Sequence, residues 1–325
     1  MTANCQTVEQ AVERAMEWSL HIGAASDLKG DLTLNRLAAL EPSAVIQPAA
    51  ALAARLIAEH FGEINFTRCA FGNEFCEHLI PSPSAFESAL DAAYSRGLAF
   101  TFLTPYVSNE GLAALRPLFA ALVRDGGGEV VFNDWGVLNL LRREFPALTP
   151  AQGRLLNKSL RDPRVTTMYA SAPAPASTLT VLQRSNLDCE SYTNLLSRLG
   201  VGAIEMDNLP QGNDLSFAES GMKVSVYLPF GFISTSRICM AAGLHYRKQD
   251  KFQPGAPCRH ECQTHLLEYT YNNSPFGNRD QKFYLKGNSY FYAHTDAMLR
   301  ALFDQARSGR IARMVFQPRL PMISM

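Results

Sequence analysis

The sequence predicts an α/β fold, a closed (β/α)8 TIM-like barrel, on three observations. Apolar, β-prone runs alternate with helical stretches through short connections, the pattern of parallel strands joined by helical crossovers. About eight such strand-like runs suit a barrel of ~250 residues or more, and the chain has 325. The G-x-G-x-x-G fingerprint of an open dinucleotide-binding sheet is missing after the first strand, which places the doubly wound alternative second.

Taken in order, residues 18–25 (WSLHIGAA) read as the first strand. Residues 43–62 open on a short apolar run and turn helical, and 63–72 (EINFTRCAFG) form a strand that ends in a loop. SPSAFESALDAAYSRG has a serine N-cap, helical apolar spacing and Gly97 as its stop. Residues 98–105 are a short buried strand, and 109–128 a helix closed by three glycines. Residues 129–136 (EVVFNDWG) are the next strand and 137–146 the next helix. The stretch 153–165 is polar and basic, and 166–180, with ASAPAPAST, reads as a loop or insertion. Residues 189–200 and 294–309 are helices; 201–208, 222–233, 282–292 and 311–318 are read as one strand each. Tyr284, Tyr290 and Tyr292, evenly spaced, then share one strand face. The chain reads as a single barrel domain, 1–325, with 1–16 as an N-terminal tail.

Composition narrows the function. Hydrophobic residues make up 47% and charged residues 18%, enough for a large core. Lys plus Arg and Asp plus Glu number 30 each, and the resulting zero net charge argues against a general nucleic-acid or anionic-membrane binder. No window reaches the ~18 apolar residues of a membrane span. The N-terminus lacks the basic start and apolar run of a secretory signal, so a cytoplasmic protein with reduced thiols is expected.

Three of the seven cysteines, Cys239, Cys258 and Cys262, crowd together, and an odd total does not suit a fully paired disulfide framework. PGAPCRHECQTH is polar and turn-rich, unlike a core segment. On a helix, Cys258 and Cys262 would share a face. Cys239 can reach them from the end of the preceding strand. Structural zinc and a [4Fe–4S] cluster both take four ligands. Cys5, in the tail, and Cys69 and Cys189, read as ordinary buried or outer thiols, are weaker fourth ligands than Cys76. Cys76 follows a strand, and loops after strands open on the C-terminal face of a barrel. His260 and His265 flank the pair as alternative zinc ligands. Spacing alone ranks zinc and iron–sulfur equally.

The stretch VSVYLPFGFISTSRICMAAGLHYRKQDKFQPGAPCRHECQ resembles the iron–sulfur segment of the collagenase-like peptidase superfamily, in particular the branch containing UbiU and UbiV, which hydroxylates ubiquinone precursors without oxygen. FTRCAFGNEFCEH, VVFNDWGVLNLL and VGAIEMDNLPQG resemble further elements of that branch, in a similar order, from about residue 60 to 292. The resemblance implies a [4Fe–4S] cluster on Cys76, Cys239, Cys258 and Cys262 inside the C-terminal mouth, ahead of zinc. It implies an oxygen-independent hydroxylase acting on a small molecule, with prephenate as oxygen donor. It also implies a paralogous partner chain or a homo-oligomer, in which this chain could instead be a non-catalytic iron–sulfur subunit. Some relatives act on RNA, which makes an RNA-modifying hydroxylase a further alternative, one the balanced charge disfavours. The peptidase branch has a G-S-x-C segment with a second cysteine close by; here the matching region is STSRIC, so peptidase activity is not expected.

Among other polar residues, Asp134 ends a strand, where barrels place chemistry, or caps the following helix. Glu205 and Asp207 end another strand, with one of them expected to face inward. Arg237, Lys286 and Arg154 are the cations an anionic substrate would use; Arg237 could instead pair with Glu74. Arg237, Asp134 and Lys286 are the candidate catalytic residues.

Overall fold

In the computed structural model, which describes residues 16–164, 175–252, 257–270 and 282–323, the strand–helix alternation closes on itself. The elements run β1 (Glu17–Ile22), α1 (Leu34–Ala38), α2 (Gln47–Phe61), β2 (Arg68–Gly72), α3 (Pro83–Tyr94), β3 (Ala99–Leu103) and α4 (Asn109–Arg124). Next come β4 (Glu129–Phe132), α5 (Trp135–Glu144), β5 (Thr149–Gln152), α6 (Ala176–Gln183), α7 (Glu190–Arg198), β6 (Ala203–Asp207) and β7 (Lys223–Leu228). The chain ends with β8 (Phe230–Thr235), β9 (Leu267–Thr270), β10 (Lys282–Lys286), β11 (Ser289–Ala293), α8 (Asp296–Ala306) and β12 (Arg313–Phe316).

Eight strands form the closed barrel, in the order β1-β12-β7-β6-β5-β4-β3-β2, all parallel. The last strand seals against the first, with Trp18 opposite Met314. Strand alternation divides the side chains between two cores. Ala70, Leu103, Val131, Ala151, Ala203, Tyr227 and Val315, one from each of seven barrel strands, cluster inside the barrel. Their chain neighbours, such as Phe71, Phe102, Val130 and Ile204, face the helices and join the outer core. Ser82 caps α3 by accepting from the N–H of Ala85, and Gly97, at φ +68°, lies beyond its end.

A second sheet, in the order β8-β11-β10-β9, is antiparallel and is inserted between the last two barrel strands in the sequence, β7 and β12. It corrects two expectations. Residues 222–233 are two strands in different sheets, parted at the cis Leu228–Pro229 bond. Residues 282–292 are a hairpin, because Gly287, at φ +62°, makes the turn. Tyr284 therefore faces Phe291 across the pair, and the even spacing to Tyr290 and Tyr292 breaks at the turn. Strand β5 was not anticipated: TPAQ lacks an apolar run, and its pairing with β4 makes it a strand. Residues 176–180, read as loop, open α6, while 1–15 and 166–174 lie outside the described residues. No described helix is long and apolar enough to cross a membrane.

Candidate metal centre

Cys76 sits in the loop after β2, which an asparagine shapes. Asn73 Oδ1 accepts the N–H groups of Phe75 at 2.8 Å and Cys76 at 3.0 Å. Phe75 anchors that loop below, with its ring edge-on to Phe232 at 5.4 Å and to Phe291 at 5.1 Å. Cys239, Cys258 and Cys262 come from the segment between β8 and β9. All four cysteines line one hollow of about 60 Å³, with Arg237 and Asn288 among the other lining residues. Asn288 ties three loops together there. Its Nδ2 lies 2.7 Å from the carbonyl of Phe75, 2.7 Å from that of Ser236 and 2.9 Å from the hydroxyl of Tyr106. The left-handed turn at Gly287 also brings backbone close to the thiols: a Cβ there would lie 3.2 Å from Cys262 Cβ and 2.5 Å from Met322 Cε.

Three sulfurs accept N–H groups. Ala242 N donates to Cys239 at 3.4 Å, His260 N to Cys258 at 3.4 Å, and Gln263 Nε2 to Cys262 at 3.1 Å. Burial pushes the Cys76 thiol up to about 12, and the neighbouring thiols push the same way. Burial also raises Cys239 and Cys262. Among the described residues, no group of three or more His, Cys, Asp or Glu side chains is gathered tightly enough to hold a single ion. Cys69 is buried in β2, and Cys189 is exposed beside Ser191.

Cys258 and Cys262 do not share a helical face. His260, at φ +57°, breaks the path, and only Glu261–Gln263 form a short 3-10 turn. The spacing of four still delivers both thiols because that turn folds the segment back. His260 and His265 do not line the hollow; His78, two residues after Cys76, does.

The other candidates separate. Arg237 reaches the hollow, stacks over the ring of Tyr106 at 5.1 Å and donates to the carbonyl of Val107, not to Glu74. Lys286 Nζ donates to the carbonyl of Leu320 at 3.4 Å; burial lowers its pKa, against the pull of Glu41 and Cys262. Asp134 lies away from the thiols as the N-cap of α5: Oδ1 accepts from the N–H of Gly136 at 2.6 Å and Oδ2 from that of Val107 at 3.3 Å. Asp134→Ala should cost about 1 kcal/mol in urea denaturation, with the metal content unchanged.

Arg154 was missed in its real role. It is fully buried after β5 and donates to Asp207 Oδ1 at 2.8 Å and to both oxygens of Glu74, with its guanidinium 3.8 Å from the centre of the Tyr227 ring. Burial works against its charge, but Glu74 and Asp207 outweigh burial and hold its pKa above the ordinary guanidinium value. With both carboxylates already bound, it is not open to a substrate. Arg161 also binds Asp207 and lies over Phe232 at 4.0 Å. Glu205 and Asp207 are two apart on β6, so both face inward, and both are buried. Only the fold could bring Glu74, Arg154 and Asp207 together.

No family model matches the chain, and no curated protein matches it in sequence. Among solved structures, it is similar to a U32 peptidase at 11% identity and TM-score 0.40, covering 93% of this chain and 92% of that one. It is also similar to the spore cortex-lytic enzyme SleL of Bacillus megaterium at 10% identity and TM-score 0.33, covering 93% and 70%. A Group IV chitinase of Ostrinia furnacalis in complex with allosamidin follows at 8% identity and TM-score 0.32, covering 95% and 92%. At such identities function is argued from the site alone.

Proposed function

We propose that this chain is an iron–sulfur protein of the collagenase-like peptidase superfamily. Cys76, Cys239, Cys258 and Cys262 would hold a [4Fe–4S] cluster, and the chain would act as an oxygen-independent hydroxylase on a small molecule, or as a subunit of one. The observation that carries the proposal is the meeting of four thiols, from distant parts of the chain, around one hollow at the barrel mouth.

The site suits a cluster better than zinc. Zinc and a [4Fe–4S] cluster both take four thiolates, and the resemblance of the cysteine segment to an iron–sulfur family favours the cluster. The hollow, at about 60 Å³, is several times the ~10–15 Å³ that one water needs, room for a core of several atoms. N–H donors aimed at three sulfurs are the second contacts that stabilise thiolate ligands. When bound, such a cluster supplies single-electron transfer. Around it, Asn288 fixes the loops that carry the cysteines, and Arg237 places a cation at the rim. The hydroxylation reading rests on the order of the motifs in the sequence.

The test is purification of the full chain without oxygen. Brown protein with about four iron and four sulfide per chain is expected, and Cys258→Ser should lose most of both. Colourless protein with one zinc per chain would sink the proposal. In the subunit form of this reading, Leu244 and Phe252, exposed on the cysteine segment, would meet the partner chain. Co-purification with a paralogous chain, and turnover only when both are present, would establish that form.

A further inference from the structure

The segment that carries three of the four thiols also concentrates positive charge. Between Arg237 and His265 stand five cations, Arg237, Arg247, Lys248, Lys251 and Arg259, against two carboxylates, Asp250 and Glu261. Arg237, Arg247, Lys248 and Arg259 are exposed and Lys251 is half-buried. Among the described residues none of the five forms an ion pair, unlike the exposed Arg55, Arg116, Arg124, Arg307 and Arg310, each of which holds a carboxylate. Glu261 does not offset them at the surface. It is buried on the lining of the thiol hollow, where its oxygens meet His245 Nε2 at 3.5 Å and the N–H of Arg259 at 3.2 Å. Since the chain has 30 residues of each sign, those outside this segment hold 25 cations against 28 carboxylates. The molecule is therefore polarised, with its positive face at the thiols.

These charges stand close to the hollow. Arg237 lines it, and Arg259 follows Cys258 in the chain. Gly243, next to the lining residue Ala242, packs on Lys251: a Cβ there would lie 3.9 Å from Lys251 Cγ. Arg247 and Lys248 begin the 3-10 turn that ends at Asp250, just before Lys251. Cys239 and Cys258 are only half-buried, so a centre held there lies just under the positive surface. A long polyanion would also meet the acidic remainder of the molecule. A small acidic protein is instead turned by this asymmetry towards the positive face. Encounters that pass electrons belong to the small, weak class of interfaces, in which such steering counts most.

We infer that this face docks a small acidic electron-carrier protein, with Arg247, Lys248, Lys251 and Arg259 steering its carboxylates over the thiol hollow. The inference rests on the cluster proposal in its hydroxylase form, in which the segment is open to a transient partner. In each encounter the carrier loses one electron and the centre on the thiols gains it, with no bond made or broken.

The probe is flavodoxin, a small acidic flavin carrier, mixed with the full chain purified without oxygen, and binding is read by calorimetry. A Kd in the micromolar range is expected in about 10 mM salt, weakening at least about tenfold by about 200 mM as the charges are screened. Arg247→Gln, Lys248→Gln and Lys251→Gln together should lose about tenfold or more in low salt, while Arg247→Lys with Lys251→Arg stays within about threefold. Arg142→Gln with Arg143→Gln, an exposed pair on α5, should change nothing. On iron-loaded protein, fully reduced flavodoxin should turn to the blue, one-electron-oxidised form of its flavin, at least about tenfold more slowly with the triple variant. Binding that ignores salt, wild-type affinity in the triple variant, binding to iron-loaded protein without the blue form, or tighter binding of a single-stranded RNA oligomer than of flavodoxin would each overturn the inference. Iron and sulfide are measured on the same samples. Protein without iron that keeps the charge-dependent binding sinks the cluster proposal and leaves the docking face; iron-loaded protein without that binding sinks the docking face alone.

Discussion

Replacing Arg154 by Met should destabilise the protein by about 3–5 kcal/mol, the range for breaking a buried ion pair from one side. Met has a comparable volume and no charge, so the change isolates electrostatics from packing. It leaves Glu74, 2% exposed, without its cationic partner, and Asp207 with Arg161 alone. The loss is therefore mainly the cost of a stranded carboxylate rather than the worth of the pair. Combining Arg154→Met with Glu74→Gln should recover a good part of it, since the stranded charge is then gone. Urea unfolding of the two single variants and the double variant at neutral pH gives the coupling. A loss below about 1 kcal/mol in the Arg154 variant would show that water or a rearranged partner relieves the site.

Glu205 should make stability fall as the pH rises through neutrality. Its side chain is buried within β6, and Oε2 has no hydrogen-bond partner among the described residues. Burial raises its pKa to about 7, with Arg313, 3.6 Å away, opposing and Glu129 and Glu74 adding to the rise. A carboxyl whose folded pKa exceeds its unfolded value binds more protons when folded. Its penalty is absent below the unfolded value of about 4.5 and complete above the folded one. Integrated over that window, the penalty is about 3 kcal/mol. Glu205→Gln should remove it, so the stability of the variant relative to wild type should climb between about pH 4.5 and 7.5. Parallel pH profiles for the two proteins would show that Glu205 already ionises at its ordinary value.

The barrel was legible because most of its strands are apolar runs, such as EVVF and KVSVYL, set between capped helices. TPAQ escaped because a four-residue strand with a proline carries no local signal, and only its neighbours in the barrel make it one. The hairpin at Gly287–Asn288 carries its turn signal, and turn chemistry there is one reading of Lys286, but the β-prone run on both sides of it reads as a single strand. At the site, Cys76, Cys239, Cys258 and Cys262 were chosen by their spacing and by the face on which barrel loops open, and the structure sets all four on one hollow. The helical reason given for two of them was wrong, because His260 takes a left-handed conformation that no spacing rule reveals. The pairing of Arg154 with Glu74 and Asp207 was out of reach, since those three residues lie far apart in the chain.

The inserted sheet has a consequence for repair. Cys76 belongs to the cylinder, while the other three thiols hang from a segment threaded between its final two staves. An inorganic core would thus clasp that segment to the frame, while Asn288 and Phe75 hold the inserted sheet to the barrel without it. Loss of such a core would release the cysteine segment and leave frame and sheet standing, ready to be refilled without being rebuilt.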